Sequence, residues 1–407
     1  MPVWALQDAF PSALGGFGWT DAKGRRRTCE SMDALSQQVR DEPGGEVFLV
    51  WTPDTPHLCL PEEITGLEES LEIAHARTVH QDLANTGWRI RWFAAILGGA
   101  TAWQWMVAVF AAGRFGHHSL GARAWFGLQT VLGSTTLGLA LLGFVIFGFI
   151  PWYQASKQRT LLRPRTPDET TRLIPALRFE TWLHLQSAPL TRVLLGVFTV
   201  VFLTQWWRDG SLLNAHASTA TAGLVKTAYF GGEWWRLLTA PLLHGGVVHF
   251  LMNMAAMLYL GKRLEVLARW PHLTLVFLFA ACAGGETSAR FVQATSVGAS
   301  GGLMGWLGFL IVFETLHANL APRSARRRLV AGVLLTGLIG LLGYRFIDNA
   351  AHVGGLLAGG VYALLVFPPS SSVNRPGTNL TDRLAGTAAL LVLLAAAATA
   401  AVHVIAR

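Results

Sequence analysis

The stretch Gly298-Ala299-Ser300-Gly301 opens an apolar run that continues to Leu316. A second apolar run, from Asn349 to Phe367, carries His352 near its start. A hydroxyl and an imidazole at the same end of two hydrophobic helices predict a Ser–His pair inside a bilayer, because ionisable groups at membrane depth are costly unless they have a function.

Composition predicts that most of the chain lies in lipid. Of the 407 residues, 52% are hydrophobic and 14% are charged, and the mean hydropathy is +0.40. Such a chain is too apolar for an ordinary soluble protein. The formal charge of +8 does not indicate a nucleic-acid partner, because the Arg residues lie in short clusters between apolar runs, as in the cytoplasmic loops of membrane proteins. We therefore expect an integral, multi-pass membrane protein in contact with the lipid bilayer.

No metal or cofactor is expected. The three cysteines, Cys29, Cys59 and Cys282, form no paired framework and no Cys-based zinc site. His117 and His118 are a pair that could bind a metal, but a solvated loop is the simpler interpretation. The N-terminus shows no short basic-then-apolar leader, so we expect no cleaved signal.

The hydropathy pattern predicts an all-α polytopic membrane protein with four regions: a small cytoplasmic α/β domain over residues 1–88, a two-helix transmembrane hairpin over 89–153, a basic, Pro-containing cytoplasmic linker over 154–187, and a helical membrane domain over 188–407.

The first two regions contain four predicted elements. They are a strand over Glu46–Trp51, an acidic amphipathic helix over Pro61–Leu83, and apolar spans over Trp92–Ala112 and Trp125–Tyr153. Prolines in the stretch from Gln154 to Arg178 are expected to break helix.

Seven further spans are expected in the last region: Pro189–Trp207, Val247–Leu260, His272–Gly284, Ser300–Leu316, Leu329–Tyr344, Asn349–Phe367 and Leu384–Ile405. Several are shorter than a lipid-facing helix needs, so they predict a bundle or a thinned bilayer.

Basic residues predict the orientation. They precede the first of these seven spans and follow the second, fourth and sixth, so all these loops fall on the cytoplasmic side together with the N-terminus. The second, fourth and sixth spans then begin in the outer leaflet, where they carry His249, Ser300 and His352. We expect the site to open to the periplasmic or extracellular side. The Arg-rich, Ala- and Gly-rich usage indicates a bacterial inner membrane.

These three spans supply the parts of a hydrolytic site. A neutral His352 can act as general base for Ser300. His249 and Asn253 are four residues apart on one helix face, and with the Ser300 amide they can donate hydrogen bonds to an oxyanion. Gly355 and Gly359 form a small-residue face for close helix packing.

The segments resemble the rhomboid family of intramembrane serine proteases. The matching elements are Trp235-Arg236, His244, His249-Phe250-Leu251-Met252-Asn253, Gly298-Ala299-Ser300-Gly301 and Asp348-Asn349-Ala350-Ala351-His352 with Gly354 and Gly355. The resemblance covers about Ala188 to Ile405.

It implies a six-helix rhomboid core with a seventh C-terminal helix. It also implies that Ser300 and His352 are the dyad, that His249, Asn253 and Ser300 line the oxyanion hole, and that transmembrane proteins are the substrates. Met304 stands where many relatives have an aromatic ring against the catalytic histidine, and its thioether can pack on imidazole. Gly298, Gly301, His244 and the Trp235-Arg236 loop are interpreted as structural support, with the loop partly in the outer leaflet.

Two rival interpretations stay open: a catalytically silent rhomboid-like protein that binds membrane clients for trafficking or quality control, and a transporter or channel with a histidine proton path. For the N-terminal domain, a regulator, a docking module for a cytoplasmic partner and a stabiliser remain alternatives.

Overall fold

The computed structural model describes residues 1–41, 48–116, 119–160, 167–212 and 215–406. The chain is mostly helical, at 74%. The helices are α1 (Met32–Asp41), α2 (Glu68–Ala111), α3 (Leu120–Leu132), α4 (Thr135–Gly143), α5 (Ile150–Thr160), α6 (Pro167–Leu185), α7 (Pro189–Asp209), α8 (His216–Ala222), α9 (Lys226–Phe230), α10 (Arg236–Thr239), α11 (Val247–Ala268), α12 (Trp270–Phe291), α13 (Ser300–Leu316), α14 (Arg323–Leu342), α15 (Asn349–Val366) and α16 (Leu380–Ala406). The strands are β1 (Phe17–Thr20), β2 (Arg26–Cys29) and β3 (Leu49–Trp51).

The chain divides into two compact units. The first, the core unit, contains Met1–Leu6, Phe179–Gly337 and Asp348–Arg407. The second, the N-terminal unit, contains Gln7–Arg178 together with Leu338–Ile347. The predicted division at residues 88, 153 and 187 stays a prediction.

A three-stranded antiparallel sheet lies in the N-terminal unit, in the order β2-β1-β3. Trp19 on β1 and Val50 on β3 pack with Leu35 of α1 and with Leu67 in one small hydrophobic core. The predicted strand over Glu46–Trp51 begins outside the described residues, and its described part is β3.

The predicted separate helices over Pro61–Leu83 and Trp92–Ala112 were wrong. The structure has one helix, α2, across both segments. No proline lies between them, and the lone Gly87 costs a helix only about 1 kcal/mol.

The second hairpin span was also misjudged, because the run from Trp125 to Tyr153 is interrupted. Gly133 ends α3, and the hydroxyl of Ser134 accepts a hydrogen bond from Leu137 N at 3.3 Å to cap α4. A π-helical segment, Phe144–Phe149, then leads into α5.

Proline fails to break α6. Pro167 occupies the first position, where its missing N–H costs nothing, while Pro175 lies inside the helix. Pro164 lies outside the described residues, so the predicted helix break at that proline stays a prediction.

The residues between α14 and α15 pack within the N-terminal unit. The guanidinium of Arg345 donates to the carbonyl oxygen of Gly133 at 3.0 Å. The ring of Phe346 lies 3.3 Å from the place that a Cβ would take on Gly138.

Four helical segments among the described residues are long and apolar enough to cross a membrane: Glu68–Phe115, Pro189–Asp209, Asn349–Val366 and Leu380–Ala406. A bent pair, Arg236–Leu242 with Val247–Ala268 at 91°, gives a fifth candidate, and Ser300–Leu316 is a shorter apolar helix.

Helices α11 and α12 run further than predicted. Each has 22 residues, although their apolar runs were assigned only to Val247–Leu260 and His272–Gly284. Charged residues such as Arg263 and Glu286 end the apolar pattern without ending the helix. The expectation that the short apolar runs need a bundle or a thinned bilayer stays a prediction.

Helix α13 forms the centre of the core unit, packed against α12 and α15. A Cβ at Gly355 would overlap the carbonyl oxygen of Gly301, and one at Gly359 would overlap that of Gly305. These contacts bring the two backbones together along the whole contact face.

Charged groups are buried at the far end of these helices. Arg263 on α11 donates from Nε and Nη2 to the Glu314 carboxylate on α13 at 2.6 and 2.8 Å, and neither side chain has measurable exposure. Phe179 lies 5.2 Å beneath the guanidinium, and Trp4 packs edge-on against Phe179. We call Arg263, Glu314, Phe179 and Trp4 the Arg263 cluster.

A second carboxylate at this end caps a helix. Glu265 accepts hydrogen bonds from the Leu190 and Thr191 backbone N–H groups at 3.0 and 2.8 Å, and from the Thr191 hydroxyl at 2.7 Å. These donors are among the N–H groups that α7 leaves unpaired at its N-terminus. The sequence analysis assigned Glu265 no role.

Candidate active site

The starts of α13 and α15 bring Ser300 and His352 to one end of the core unit. Ser300 is the first residue of α13, and His352 lies in the first turn of α15. Between these helices, a Cβ at Gly301 would stand 3.6 Å from the carbonyl oxygen of Ala351. The backbone of the residue after the serine therefore lies close to the residue before the histidine.

Helix α11 brings two more predicted residues to the same place. The segment before Ser300 turns at Gly298, whose φ is +121°, a conformation that favours glycine. A Cβ there would come within 2.7 Å of His249 Nε2 and 3.6 Å of Asn253 Nδ2. His249 and Asn253 therefore border the backbone that leads into the serine.

Hydrogen-bond donors converge beside Gly298. Asn253 is 6% exposed, and within the described chain its Nδ2 has no hydrogen-bond partner. His249 Nδ1 accepts from Gly245 N at 3.5 Å, which places the ring proton on Nε2. The Ser300 N–H opens α13, so it has no partner within the helix. This arrangement can receive a negatively charged oxygen.

Four polar residues that the sequence analysis left without a role lie next to this end. The Asp348 carboxylate caps α15 by accepting from Ala351 N at 2.9 Å. Its Oδ2 also accepts from the Ser288 and Ser296 hydroxyls, each at 2.5 Å, and Ser296 accepts from Lys226 Nζ at 2.5 Å. We call Asp348, Ser288, Ser296 and Lys226 the Asp348 cluster.

The Asp348 cluster borders a small cavity beside the serine. The cavity has a volume of about 30 Å³, enough for a single water. Its lining includes Ser300, Gly301, Ser288, Ser296 and Asp348.

The residues predicted as support occupy several distinct environments. Arg236 is 4% exposed; it donates to Glu233 at 2.6 Å and to the carbonyl oxygen of Gly223 at 2.7 Å, so it anchors its own loop. Trp235 stacks on His403 with centroids 4.3 Å apart. Met304 is buried.

The ring of His244 is fully buried. It packs against Phe198, Phe202 and Phe250. Gln205, which the sequence analysis overlooked, accepts from the His244 backbone N–H at 2.9 Å and donates to its carbonyl oxygen at 3.2 Å.

A metal site was considered at His117 and His118, but both lie outside the described residues. In the part of the chain that the structure describes, no three His, Cys, Asp or Glu side chains are grouped to hold a metal ion.

Comparison with known proteins finds a family match over the part of the chain that contains the candidate site residues. A family model described as the Rhomboid domain matches residues 231–369. RHOMBOID-like protein 4 of Arabidopsis thaliana is 34% identical over 212 residues, which are 48% of this chain and 53% of that protein. Rhomboid protease GluP of Bacillus subtilis is 30% identical over 191 residues, 46% of this chain and 35% of that protein.

Inactive rhomboid protein 2 of Homo sapiens is also similar, with 33% identity over 139 residues, 33% of this chain and 16% of that protein. The chain spans about half the length, or less, of the curated relatives it matches. The matches therefore include both a protease and an inactive protein by name.

Proposed function

The chain is a member of the rhomboid family, and we propose that it is an intramembrane serine endopeptidase that cleaves transmembrane proteins in or near their membrane-spanning segments. Ser300 is the nucleophile and His352 the general base. The observation that carries the proposal is the buried Asn253 Nδ2 beside Gly298, which has no hydrogen-bond partner among the described residues. A buried donor without a partner is costly unless a ligand uses it.

His352 takes up a proton and gives it back once in acylation and once in deacylation. Ser300 Oγ attacks the substrate carbonyl carbon while His352 takes the hydroxyl proton, and the carbonyl π electrons move to the oxygen. The resulting oxyanion accepts hydrogen bonds from the Ser300 N–H, Asn253 and His249. The carbonyl re-forms and the C–N bond breaks as His352 protonates the leaving amine. Water then attacks the acyl carbon while His352 takes its proton, and the C–O bond to Ser300 breaks as His352 returns that proton to Ser300 Oγ.

In this proposal α7 and α11 to α15 are the six helices of the rhomboid core, and α16 is the seventh helix. In this proposal the basic loops and the N-terminus are cytoplasmic, as in a bacterial inner membrane, and Ser300 opens to the outer side. A substrate helix enters from lipid and unwinds to expose its carbonyl. The Trp235-Arg236 loop lies partly in the outer leaflet.

One observation supports a second candidate function. An inactive rhomboid protein is among the similar proteins, and the alternative is a protein that binds membrane clients without cleaving them. The presence of Ser300, His352, His249 and Asn253 together favours the protease.

Cleavage of a single-span model substrate by the purified full chain in liposomes tests the proposal. We expect cleavage by the wild type, and losses of more than about 10³-fold in both Ser300→Ala and His352→Ala. Ser372→Ala, on a segment remote from the site, is the matched control. A folded wild type that binds but never cleaves the substrate would favour the silent client-binding protein.

Labelling by a fluorophosphonate, which reacts with activated serines, supplies a second readout. Labelling of wild type but not of Ser300→Ala supports the nucleophile. Cleavage that persists in Ser300→Ala would contradict the assignment.

A further inference from the structure

The Asp348 cluster links the two segments that carry the dyad at matched positions. Ser296 lies four residues before Ser300, and Asp348 lies four residues before His352. The direct hydrogen bond between Ser296 and Asp348 therefore ties the approach to the nucleophile to the approach to the base.

Two other elements hold this bond in place. Ser288 on α12 has no measurable exposure, and its hydroxyl donates to the same Asp348 oxygen at 2.5 Å. From the loop side, Lys226 on α9 is 6% exposed and donates to Ser296 at 2.5 Å. A backbone bridge between Leu224 and Ser296, with hydrogen bonds of 2.9 and 3.3 Å, fixes the same loop.

The carboxylate also lies where its charge acts on the base. Asp348 caps the helix that carries His352 and interacts electrostatically with that ring, as residues four apart on a helix do. In the proposed reaction His352 becomes positively charged when it takes the serine proton. A nearby negative charge stabilises that ion.

We propose, on the basis of the proposed function, that Asp348 is a positioning residue for His352: it fixes the ring relative to Ser300 and stabilises the imidazolium. Ser288, Ser296 and Lys226 hold Asp348 in place and set the strength of its electric field. A cap that served α15 alone would need neither the buried hydroxyls nor the lysine.

Lys226 provides a way to change the electric field of the Asp348 carboxylate at His352 without altering Asp348 itself. Burial lowers the pKa of Lys226 to about 8, against the opposing effect of Asp348, so the lysine is still mostly cationic below pH 7. Its positive charge partly offsets the Asp348 carboxylate in the pH range where a histidine base titrates.

The other titratable groups at this end of the site are few among the described residues. His249 on α11 interacts electrostatically with His352, and the ring of His244 packs against that of His249. On α12, Glu286 bonds to Tyr229 at 2.6 Å and to Arg290 at 2.5 Å, outside the Asp348 cluster. Glu286→Gln therefore changes the local charge by the same amount as Asp348→Asn without touching the cluster.

The experiment measures kcat/KM against pH for the full chain in liposomes with a single-span model substrate. Asp348→Asn keeps a good helix cap but removes the negative charge. We expect kcat/KM to fall by about 10- to 100-fold. The acidic limb of the pH profile, where kcat/KM is lost as His352 becomes protonated, should move by about one pH unit to lower pH, because His352 loses the charge that favours its protonated form. Asp348→Glu is expected to recover part of the rate.

Lys226→Met should shift the acidic limb in the opposite direction, to higher pH, because the carboxylate is then less offset. Glu286→Gln should leave the limb unmoved. Limbs that stay fixed in both Asp348→Asn and Lys226→Met, or that move the same way, would overturn the proposal and leave Asp348 as a helix cap only. If the wild type neither cleaves the substrate nor labels with a fluorophosphonate, the proposed function fails, which distinguishes the two failures.

Discussion

The Arg263 cluster and the active-site end differ in how their buried polar groups are satisfied. Both use α11 and α13: α11 carries His249 near one end and Arg263 fourteen residues on, about 21 Å along the helix. Arg263 and Glu314 meet in two parallel hydrogen bonds. At the other end Asn253 Nδ2 is left without a protein partner within the described chain. Paired groups are expected to support stability, and the unpaired donor to support chemistry.

The strongest test of this comparison removes one charge from the Arg263 cluster. Arg263→Met leaves the Glu314 carboxylate buried without its ion partner, and we expect the free energy of unfolding to fall by about 3–5 kcal/mol. The measurement is equilibrium unfolding in mixed detergent micelles. The double variant Arg263→Met/Glu314→Leu should recover much of the loss, because it removes both charges; an equally unstable double variant would contradict this account.

The next largest effect is expected in activity. Asn253→Ala should lower kcat by about 10²- to 10³-fold, because it removes one oxyanion donor. The free energy of unfolding should not fall by more than about 1 kcal/mol, because Nδ2 has no hydrogen bond to lose within the described chain. Unfolding and single-turnover cleavage, measured on the same preparation, check both parts. A stability loss as large as that of Arg263→Met would break the comparison.

Glu265→Gln should have an intermediate effect on stability. Its carboxylate accepts three hydrogen bonds at the start of α7, and bonds to a charged group contribute roughly 1.5–3 kcal/mol. We expect a loss in that range, measured by equilibrium unfolding in mixed micelles. The control is Thr191→Val, which removes only the hydroxyl bond and should cost about 1 kcal/mol. An effect of Glu265→Gln no larger than the control would count against the capping role.

The smallest effect is expected at the edge of the Arg263 cluster. Trp4 donates its indole N–H to the carbonyl oxygen of Leu320 at 2.9 Å. Trp4→Phe keeps an aromatic ring against Phe179 but removes this bond, so unfolding should become easier by about 0.5–1.5 kcal/mol. Thermal unfolding measures the change. No change would mean that the bond has no net stabilising effect.

The sequence reveals helices best where apolar runs end at clear signals. Helix α13 has its predicted bounds, Ser300–Leu316, and α15 differs from its predicted span by one residue. Polar residues such as His249 and His352 stand out against an apolar background, which is why the candidate site residues could be selected from the sequence.

Long-range polar pairing is what the sequence hides. In the sequence, Arg263 and Glu265 end an apolar run, yet their partners, Glu314 and the start of α7, lie 51 and 74 residues away along the chain. A local hydropathy average contains no information about such distant partners, so α11 was predicted too short. For the same reason Ser288, Ser296 and Lys226 gave no signal beyond the four-residue spacing of Ser296 from Ser300.

The packing of Leu338–Ile347 within the N-terminal unit limits where the chain can be cut to make a shorter protein. A gene fragment that begins at residue 188 would contain all the proposed catalytic residues. It would lack Gly133 and Gly138, which Arg345 and Phe346 contact. Arg345 and Phe346 lie only a few residues before Asp348 in the sequence. A fragment meant to keep the packing of the α14–α15 connection must therefore include Gly133 and Gly138.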